Sequence, residues 1–574
     1  MKNRLLDLNL TKLILFFISI TFILHQFFFI RKGGVTWDET LDVFGSGKNI
    51  EKFKFFITNQ ETIELSNLPA QYFGQLIKLP IYIVSRSEVL VNYFSNILEF
   101  IFQEEQLYIE SFFNLRHYLL NIYIFISIFI VFNLLNKVIN NSRIALLIIF
   151  FIYWNPIFIG HSMFNLTDVP MAIQIFIASL IYIYLILCNE PKRKDYFIVG
   201  IFFGMSLLTR ISSAAFLLPL GIYFLTVKRK DKKLLHSIIN HFYILISAFI
   251  VLVLGSPGAF INPVHYIEGL IYSQFTGQDF YAYFPMNGKY LFSLDWNPEY
   301  LLNLFLFKLP IVILISTFIG LFKLRDINSH LFRYSFLFIA YTYITHEIYQ
   351  PSVFNYFRHY IFLIPFFCVI AGFVIYSLIE NKSQPFKLTS VFAILFYFIF
   401  TQFGLGQYKY VYVNEFVNEE LISVECLDLN DLNGCGYWQT DYYGFSGKET
   451  IEIVENLKIE NVFICAPSHS YSIYIESNNF WKINNGNPDF NDYIFWDQYA
   501  YIYNIDHFNE FIDSYPTGSF YALAIHSPGY KTCNLDKVKA ISFDINCRVE
   551  EVVSTKLRGT PINLNYIHYC EYTT

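Results

Sequence analysis

The chain has 574 residues and a net charge of −6, with 55% hydrophobic and only 15% charged residues. A soluble domain carries about a quarter charged residues, so this composition excludes an ordinary soluble enzyme and points to an integral membrane protein. The modest charge gives no basis for nucleic-acid binding.

A bilayer core needs about 20 apolar residues per helix. That window places eleven spans near 11–30, 117–136, 143–160, 169–188, 196–209, 211–227, 237–255, 299–320, 333–349, 359–379 and 388–406. The first is too long for a signal peptide and lacks a small-residue cleavage site, so it reads as a retained helix. The many Phe (65) and Tyr (44) residues suit lipid-facing helices with interfacial rings. Lys2, Arg4 and Lys12 place the N-terminus in the cytoplasm. Counting spans from there puts Lys192-Arg193-Lys194, Lys228-Arg229-Lys230, 323–333 and 382–387 inside as well.

The opposite face then receives a long first loop, 31–116, which carries Trp37-Asp38-Glu39-Thr40. Its apolar stretches at 53–57 and 65–85 are too short and too broken to span, and suit amphipathic helices lying in the interface. The tail, 407–574, is richer in Asn, Asp, Gly and Ser. It alternates β-like runs (461–465, 499–503, 520–525) with helical ones (449–457, 507–515), as an α/β domain would. The expected division is a membrane domain, 1–406, and an extracytoplasmic domain, 407–574. Six of eight cysteines lie in the tail: Cys426, Cys435, Cys465, Cys533, Cys547 and Cys570. On an exported side they permit disulfides, whose pairing the sequence leaves open. Cys188 and Cys368, within spans, read as packing residues.

The polar residues at the outer helix ends are Asp38, Glu39, His161, Asn165, Asp168, Arg210, His265, His346, Glu347, Arg358 and His359. Each has a plain explanation: an acidic pair is commonly a solvated loop, Arg210 can snorkel, and Asp168 can cap a helix. Together they supply carboxylates for acid–base work and cations for a phosphate, as a transferase at a membrane surface needs.

These residues carry a resemblance to the C-type-fold membrane glycosyltransferases, the family of the protein O-mannosyltransferases and aminoarabinose transferases (glycosyltransferase family 39-like). The matching stretches are Asp38-Glu39, the run from Gly160 through Asp168-Val169-Pro170, Leu207-Leu208-Thr209-Arg210, Lys308-Leu309-Pro310 and Phe357-Arg358-His359-Tyr360. Tyr410-Val411-Tyr412-Val413-Asn414 and Asp441-Tyr442-Tyr443-Gly444-Phe445-Ser446 resemble signatures of a bacterial branch. The likeness extends to about residue 450. One departure is Arg210, where relatives often have Lys.

The resemblance implies a GT-C-like polytopic α-helical fold with about eleven transmembrane helices, in a bacterial plasma (inner) membrane. It implies transfer of a sugar from a polyprenyl-phosphate donor to a lipid, glycan or protein hydroxyl on the extracytoplasmic face. Asp38 is then the expected general base, Glu39 its reserve, and Asp168 a carboxylate that holds the acceptor or orients an arginine. Arg210 and Arg358 would bind the phosphate, with His161, Asn165, His346, Glu347 and His359 lining the substrate site. No metal is expected to be obligatory, although a divalent cation beside Asp38 and Asp168 is compatible with the residues. The competing readings are a transporter or lipid flippase, whose ionisable groups would sit deep within spans, and a noncatalytic assembly or receptor protein.

Overall fold

The computed structural model describes residues 2–36, 39, 75–102, 108–188, 191–228, 238–275, 283–286, 289–292, 297–351, 356–418, 422, 441, 444–457, 462–464, 517–525 and 544–573. Over these residues the protein is mainly helical: α1 (Lys2–Ile30), α2 (Gln75–Ser85), α3 (Glu88–Phe102), α4 (Tyr108–Ile139), α5 (Ser142–Tyr153), α6 (Pro156–His161), α7 (Asp168–Leu187), α8 (Arg193–Thr209) and α9 (Leu217–Lys228). The order continues with α10 (Phe242–Gly255), α11 (Pro257–Ile261), α12 (Pro263–Phe275), the short hairpin β1 (Tyr283–Met286) and β2 (Lys289–Phe292), α13 (Tyr300–Lys308), α14 (Ile311–Phe322), α15 (His330–Tyr349), α16 (Ile364–Ile379) and α17 (Gln384–Gln402). The tail contributes α18 (Gly447–Asn456), β3 (Val462–Ile464), β4 (Thr517–Ile525), β5 (Asp544–Leu557) and β6 (Thr560–Thr573).

The expectation of a polytopic helical membrane protein is met. Among the described residues six helical segments are long and apolar enough to cross a bilayer, or seven if a bent pair counts as one. All eleven expected spans fall on helical segments, but several are broken or short. The segment expected at 143–160 divides at Asn155-Pro156, where Asn155 Oδ1 accepts from the Ile157 and Phe158 amides at 3.1 and 3.3 Å. The one expected at 299–320 bends by 117° between α13 and α14. Pro310 is the cause, because it has no amide hydrogen and disfavours helix at the residue before it.

That break explains two motifs at once. A bend exposes backbone carbonyls, which must find donors when buried. Asn414 supplies them: its Nδ2 donates to Leu306 O at 2.6 Å and Leu309 O at 2.8 Å, and its amide donates to Phe307 O at 2.8 Å. Lys308 Nζ donates in turn to Val411 O at 3.2 Å. The Lys-Leu-Pro and Tyr-Val-Asn stretches are therefore two halves of one joint between the helical bundle and the start of the tail.

Helix α7 is the centre of the bundle, buried on nearly all sides, whereas α17 lies at the periphery. In α3, Val91, Ser95 and Leu98 are buried one helical turn apart, while Val89, Tyr93 and Phe100 are exposed. This helix was not anticipated. Of the stretches expected to form interfacial helices, α2 covers the end of 65–85, and 53–57 and 65–74 lie outside the described residues.

The tail forms a mixed sheet in the order β3-β4-β6-β5, with β3 parallel to β4 and the other pairs antiparallel. β3, β4 and α18 fall where the sequence places them; 499–503 and 507–515 lie outside the described residues. The β5–β6 hairpin was not anticipated. Its link is Arg558-Gly559, both at positive φ, +50° and +94°. That is the turn whose twist matches paired strands, and the sequence disguises it by using Arg where Asn is usual. The hairpin packs on the chain after α17: Thr555 Oγ1 donates to Gly404 O at 2.9 Å and Arg558 Nη1 to Val413 O at 2.9 Å.

Candidate active site

Asp168 begins α7 and is fully buried. An Asp here can cap its helix, but the capping is done by Asn165, whose Oδ1 accepts from the Thr167 and Asp168 amides at 3.1 and 2.8 Å. The Asp168 carboxylate is left for other partners. Oδ1 forms an ion pair with Arg210 Nε at 3.1 Å. Oδ2 accepts from Arg358 Nε at 3.2 Å and from Asn165 Nδ2 at 2.9 Å.

The two arginines arrive from chain breaks. Arg210 stands where α8 ends, at an extended residue (φ −153°, ψ 127°) before the 3-10 turn Ile211–Phe216. Arg358 lies in the 3-10 segment Tyr356–Leu363, which leads into α16. His359 Nδ1 accepts from Arg210 Nη1 at 3.1 Å. His161 joins through Nδ1, 3.2 Å from Asn165 Nδ2. Since Asn165 donates, the His161 nitrogen accepts; burial pushes its imidazole pKa down to about 3, so the ring is neutral. Two guanidiniums thus share one buried carboxylate. Their side chains are 20% and 13% exposed, while Asp168 is fully enclosed.

A second acidic centre lies nearby in the chain path. Glu39 is buried and fully committed: Oε2 accepts from Thr36 N at 2.8 Å and Thr36 Oγ1 at 3.0 Å, and Oε1 lies 2.5 Å from His117 Nε2. His117, on α4, is a functional candidate that sequence reasoning missed, because a polar residue at the start of an apolar span gives no signal of a partner far away in the chain. One turn on, Asn121 Nδ2 donates to Ser162 O at 3.1 Å, and Gln26 Nε2 of α1 donates to Ser162 Oγ at 2.8 Å. These contacts tie α1 and α4 to the turn 161–168 that presents Asp168. Asp38 lies outside the described residues.

Of the other expected site residues, His346 does not join the Asp168 centre. Its Nδ1 lies 2.7 Å from Tyr360 Oη and its ring stacks on Tyr300 at 5.9 Å, so it abuts the centre through the residue next to His359. Glu347 is half-buried beside it. His265 stays exposed, 3.9 Å from Glu268. Among the described residues no group of three or more His, Cys, Asp or Glu side chains could hold a metal ion.

The tail reaches the same region. Lys448 Nζ donates to Arg31 O at 3.0 Å and pairs with Glu110, and the Phe445 ring lies 4.8 Å from that of Phe164. The first loop, the second loop and the tail therefore meet on one side of the bundle.

Residues 114–257 match the family model described as dolichyl-phosphate-mannose-protein mannosyltransferase. The matched stretch contains His117, His161, Asn165, Asp168 and Arg210. Two crystal structures of ArnT from Cupriavidus metallidurans, one bound to undecaprenyl phosphate and one in the apo state, align at a TM-score of 0.43 with 11% identity. The alignments cover 83% of this chain and 87% and 86% of theirs. No curated protein sequence matches the chain. The resemblance read from the sequence thus stands on the stretch from α4 to α11, which is similar to the dolichyl-phosphate-mannose-protein mannosyltransferases, a family of membrane glycosyltransferases.

Proposed function

We propose that the protein is a membrane glycosyltransferase that moves a sugar from a polyprenyl-phosphate donor to an acceptor hydroxyl on the extracytoplasmic face of the membrane. The observation that carries this reading is the pair of arginines oriented by buried Asp168. A lipid phosphate leaving group gains negative charge as its bond to the anomeric carbon breaks. Preorganised cations stabilise that charge without reorganising during the reaction, and Arg suits the planar, two-point grip on phosphate. The family model over 114–257, named for transfer from a dolichyl phosphate sugar, supports the same donor chemistry.

In this reaction the acceptor oxygen attacks the anomeric carbon and passes its proton to a carboxylate. The carbon–oxygen bond to the phosphate breaks, and its electron pair leaves with the lipid phosphate. Glu39 is enclosed by Thr36 and His117, so the base role falls to its neighbour Asp38. The transporter reading is less well supported. The ionisable groups of the Asp168 centre gather at chain breaks and helix ends, at 161–168, 210 and 358–359, and not in mid-helix as a permeation path requires.

The test is binding of undecaprenyl phosphate to Arg358 variants. Arg358→Ala should weaken binding by more than about tenfold, and Arg358→Lys by less, because Lys keeps the charge but loses the fork. Equal affinity in wild type and Arg358→Ala would remove the arginine pair from the phosphate site. A polyprenyl-phosphate sugar copurifying with the wild-type protein would identify the donor directly.

A further inference from the structure

The Asp-Tyr-Tyr-Gly-Phe-Ser stretch of the tail has no part in the chemistry above, yet it lies where the link after α1, helix α4 and the turn that carries Asp168 meet. Phe445 is fully buried. Its ring lies 4.8 Å from Phe164, in the turn that carries Asn165 and Asp168, and 6.4 Å from the ring of His117, which holds Glu39. On a third side it meets the link between α1 and the acidic pair. Gly34 N donates to Phe445 O at 2.9 Å. A Cβ on Gly33 would fall 2.0 Å from Phe445 Cζ, so glycine is required there by the ring itself.

The ring is held from behind by the tail. Asp441 Oδ1 accepts from the Phe445 amide at 2.9 Å and from Tyr410 Oη at 2.5 Å, and its Oδ2 accepts from the Ser446 amide at 2.9 Å and from Ser446 Oγ. Asn565, on β6, donates to Ser446 Oγ at 3.3 Å and Thr450 Oγ1 at 2.7 Å. A buried carboxylate with four donors fixes a turn far more firmly than a surface loop needs. Strand β6 is thereby connected to a side chain that packs on Phe164 of the turn carrying Asp168 and on His117, the partner of Glu39.

We propose that Phe445 is a positioning residue: presented by the Asp441–Asn565 network, it sets the link 33–36 and Glu39 against the turn that carries Asp168. This inference rests on the glycosyltransferase reading for its purpose and gives the tail a role in alignment of the site. An error of about 1 Å between a base and a held substrate can cost about a hundredfold in rate, so a rigid wedge between the two loops has a clear use.

The test needs no turnover. In an Asp38→Cys background, the rate at which a maleimide labels residue 38 is followed by peptide mass spectrometry, so that the native cysteines do not interfere. Undecaprenyl phosphate affinity and thermal stability are measured alongside. Phe445→Leu removes the far ring atoms, and Gly33→Ala inserts a methyl group where those atoms lie. Each alone should change the labelling rate at residue 38 by about tenfold or more while leaving undecaprenyl phosphate affinity within about twofold. Combined, they should restore much of the wild-type rate, because the methyl group then occupies the space that leucine vacates; contacting sites couple in this way and independent ones do not. Labelling that stays at the wild-type rate in Phe445→Leu and in Phe445→Ala would overturn the proposal. So would effects of Gly33→Ala and Phe445→Leu that simply multiply, or affinity that moves as far as labelling. If the wild type fails to bind undecaprenyl phosphate, the enzyme reading falls, while the labelling rates still decide the positioning role.

Discussion

Asp168→Asn should damage the protein in a specific way. The substitution keeps shape and one carbonyl oxygen, but it places an NH2 group where a carboxylate oxygen faced a guanidinium. Two donors and one further cation converge on the native carboxylate: Arg358 Nε at 3.2 Å and Asn165 Nδ2 at 2.9 Å donate to Oδ2, and Arg210 Nε forms an ion pair with Oδ1 at 3.1 Å. Removing one partner of a buried ion pair costs about 3–5 kcal/mol. The arginine side chains are 20% and 13% exposed, which lets some water reach the stranded charges and favours the low end, about 3 kcal/mol. Loss of a negative charge at the first turn of α7 adds about 0.3–1 kcal/mol. The assay is a double-mutant cycle with Arg358→Gln, read by denaturation in detergent and by undecaprenyl phosphate binding. Once Asp168 is neutral, removing Arg358 should cost little further stability, giving a coupling of roughly 1–3 kcal/mol. Strict additivity in both readouts would refute the shared-carboxylate account and leave Asp168 a helix-terminal residue with no hold on the arginines.

Asp38→Asn should lower transfer by about 10²- to 10⁴-fold, the usual cost of losing a general base, with undecaprenyl phosphate binding retained. Wild-type turnover in that variant would return the acidic pair to an ordinary loop. Glu39→Gln should instead lower thermal stability, since it withdraws the charge from a carboxylate held by Thr36 and His117, and unchanged stability would contradict the clamp. Burial pushes the Lys409 ammonium down to about 7. Its folded pKa is thus below the unfolded one, so its contribution is present at high pH and is lost as pH falls through about 7. Lys409→Met should flatten the loss of stability as pH falls from about 10 to about 7, and an unaltered profile over that range would count against it. Six cysteines lie in the tail, a number that permits disulfides on an oxidising side of the membrane. Denatured, unreduced protein should leave at least two tail cysteines unalkylated; full alkylation of all six would place the tail in a reducing setting and oppose the extracytoplasmic assignment.

The sequence made the membrane character, the helical segments and the cluster of ionisable residues legible, and it did so for identifiable reasons. Apolar runs near bilayer length have few alternatives, and Asp168, Arg210 and Arg358 are conspicuous in a chain so poor in charge. Their mutual pairing was only half visible. From the sequence, Asp168 fits a helix cap, a hold for the acceptor, an arginine partner or a cation ligand, and its contact with the arginines depends on Asn165 accepting from the first amides of α7, a fact of geometry three residues away. Breaks were harder to see than spans. Pro156 and Pro310 mark them, yet a hydropathy window averages across a kink. His117 gave no signal because a contact with Glu39 joins residues far apart in the chain. The hairpin was hidden by Arg558, a residue type that seldom takes a left-handed conformation.

The motifs of the tail show why order along the chain was informative before any contact was known. Asn414 completes the hydrogen bonding of a helix broken by Pro310, and Phe445 fits only because Gly33 lacks a side chain. Each pairs a residue of the bundle with one of the tail, and each is demanding: a buried carbonyl without a donor costs about 1–3 kcal/mol, and a methyl group at residue 33 would overlap the ring. Such constraints fix residue types at separated positions without producing any local pattern. They read as isolated short signatures in the sequence and become single joints in the fold. Glu39 belongs to the same class of joint: its carboxylate fastens the link after α1, through the Thr36 amide and hydroxyl, to His117 of α4, residues that no local pattern connects.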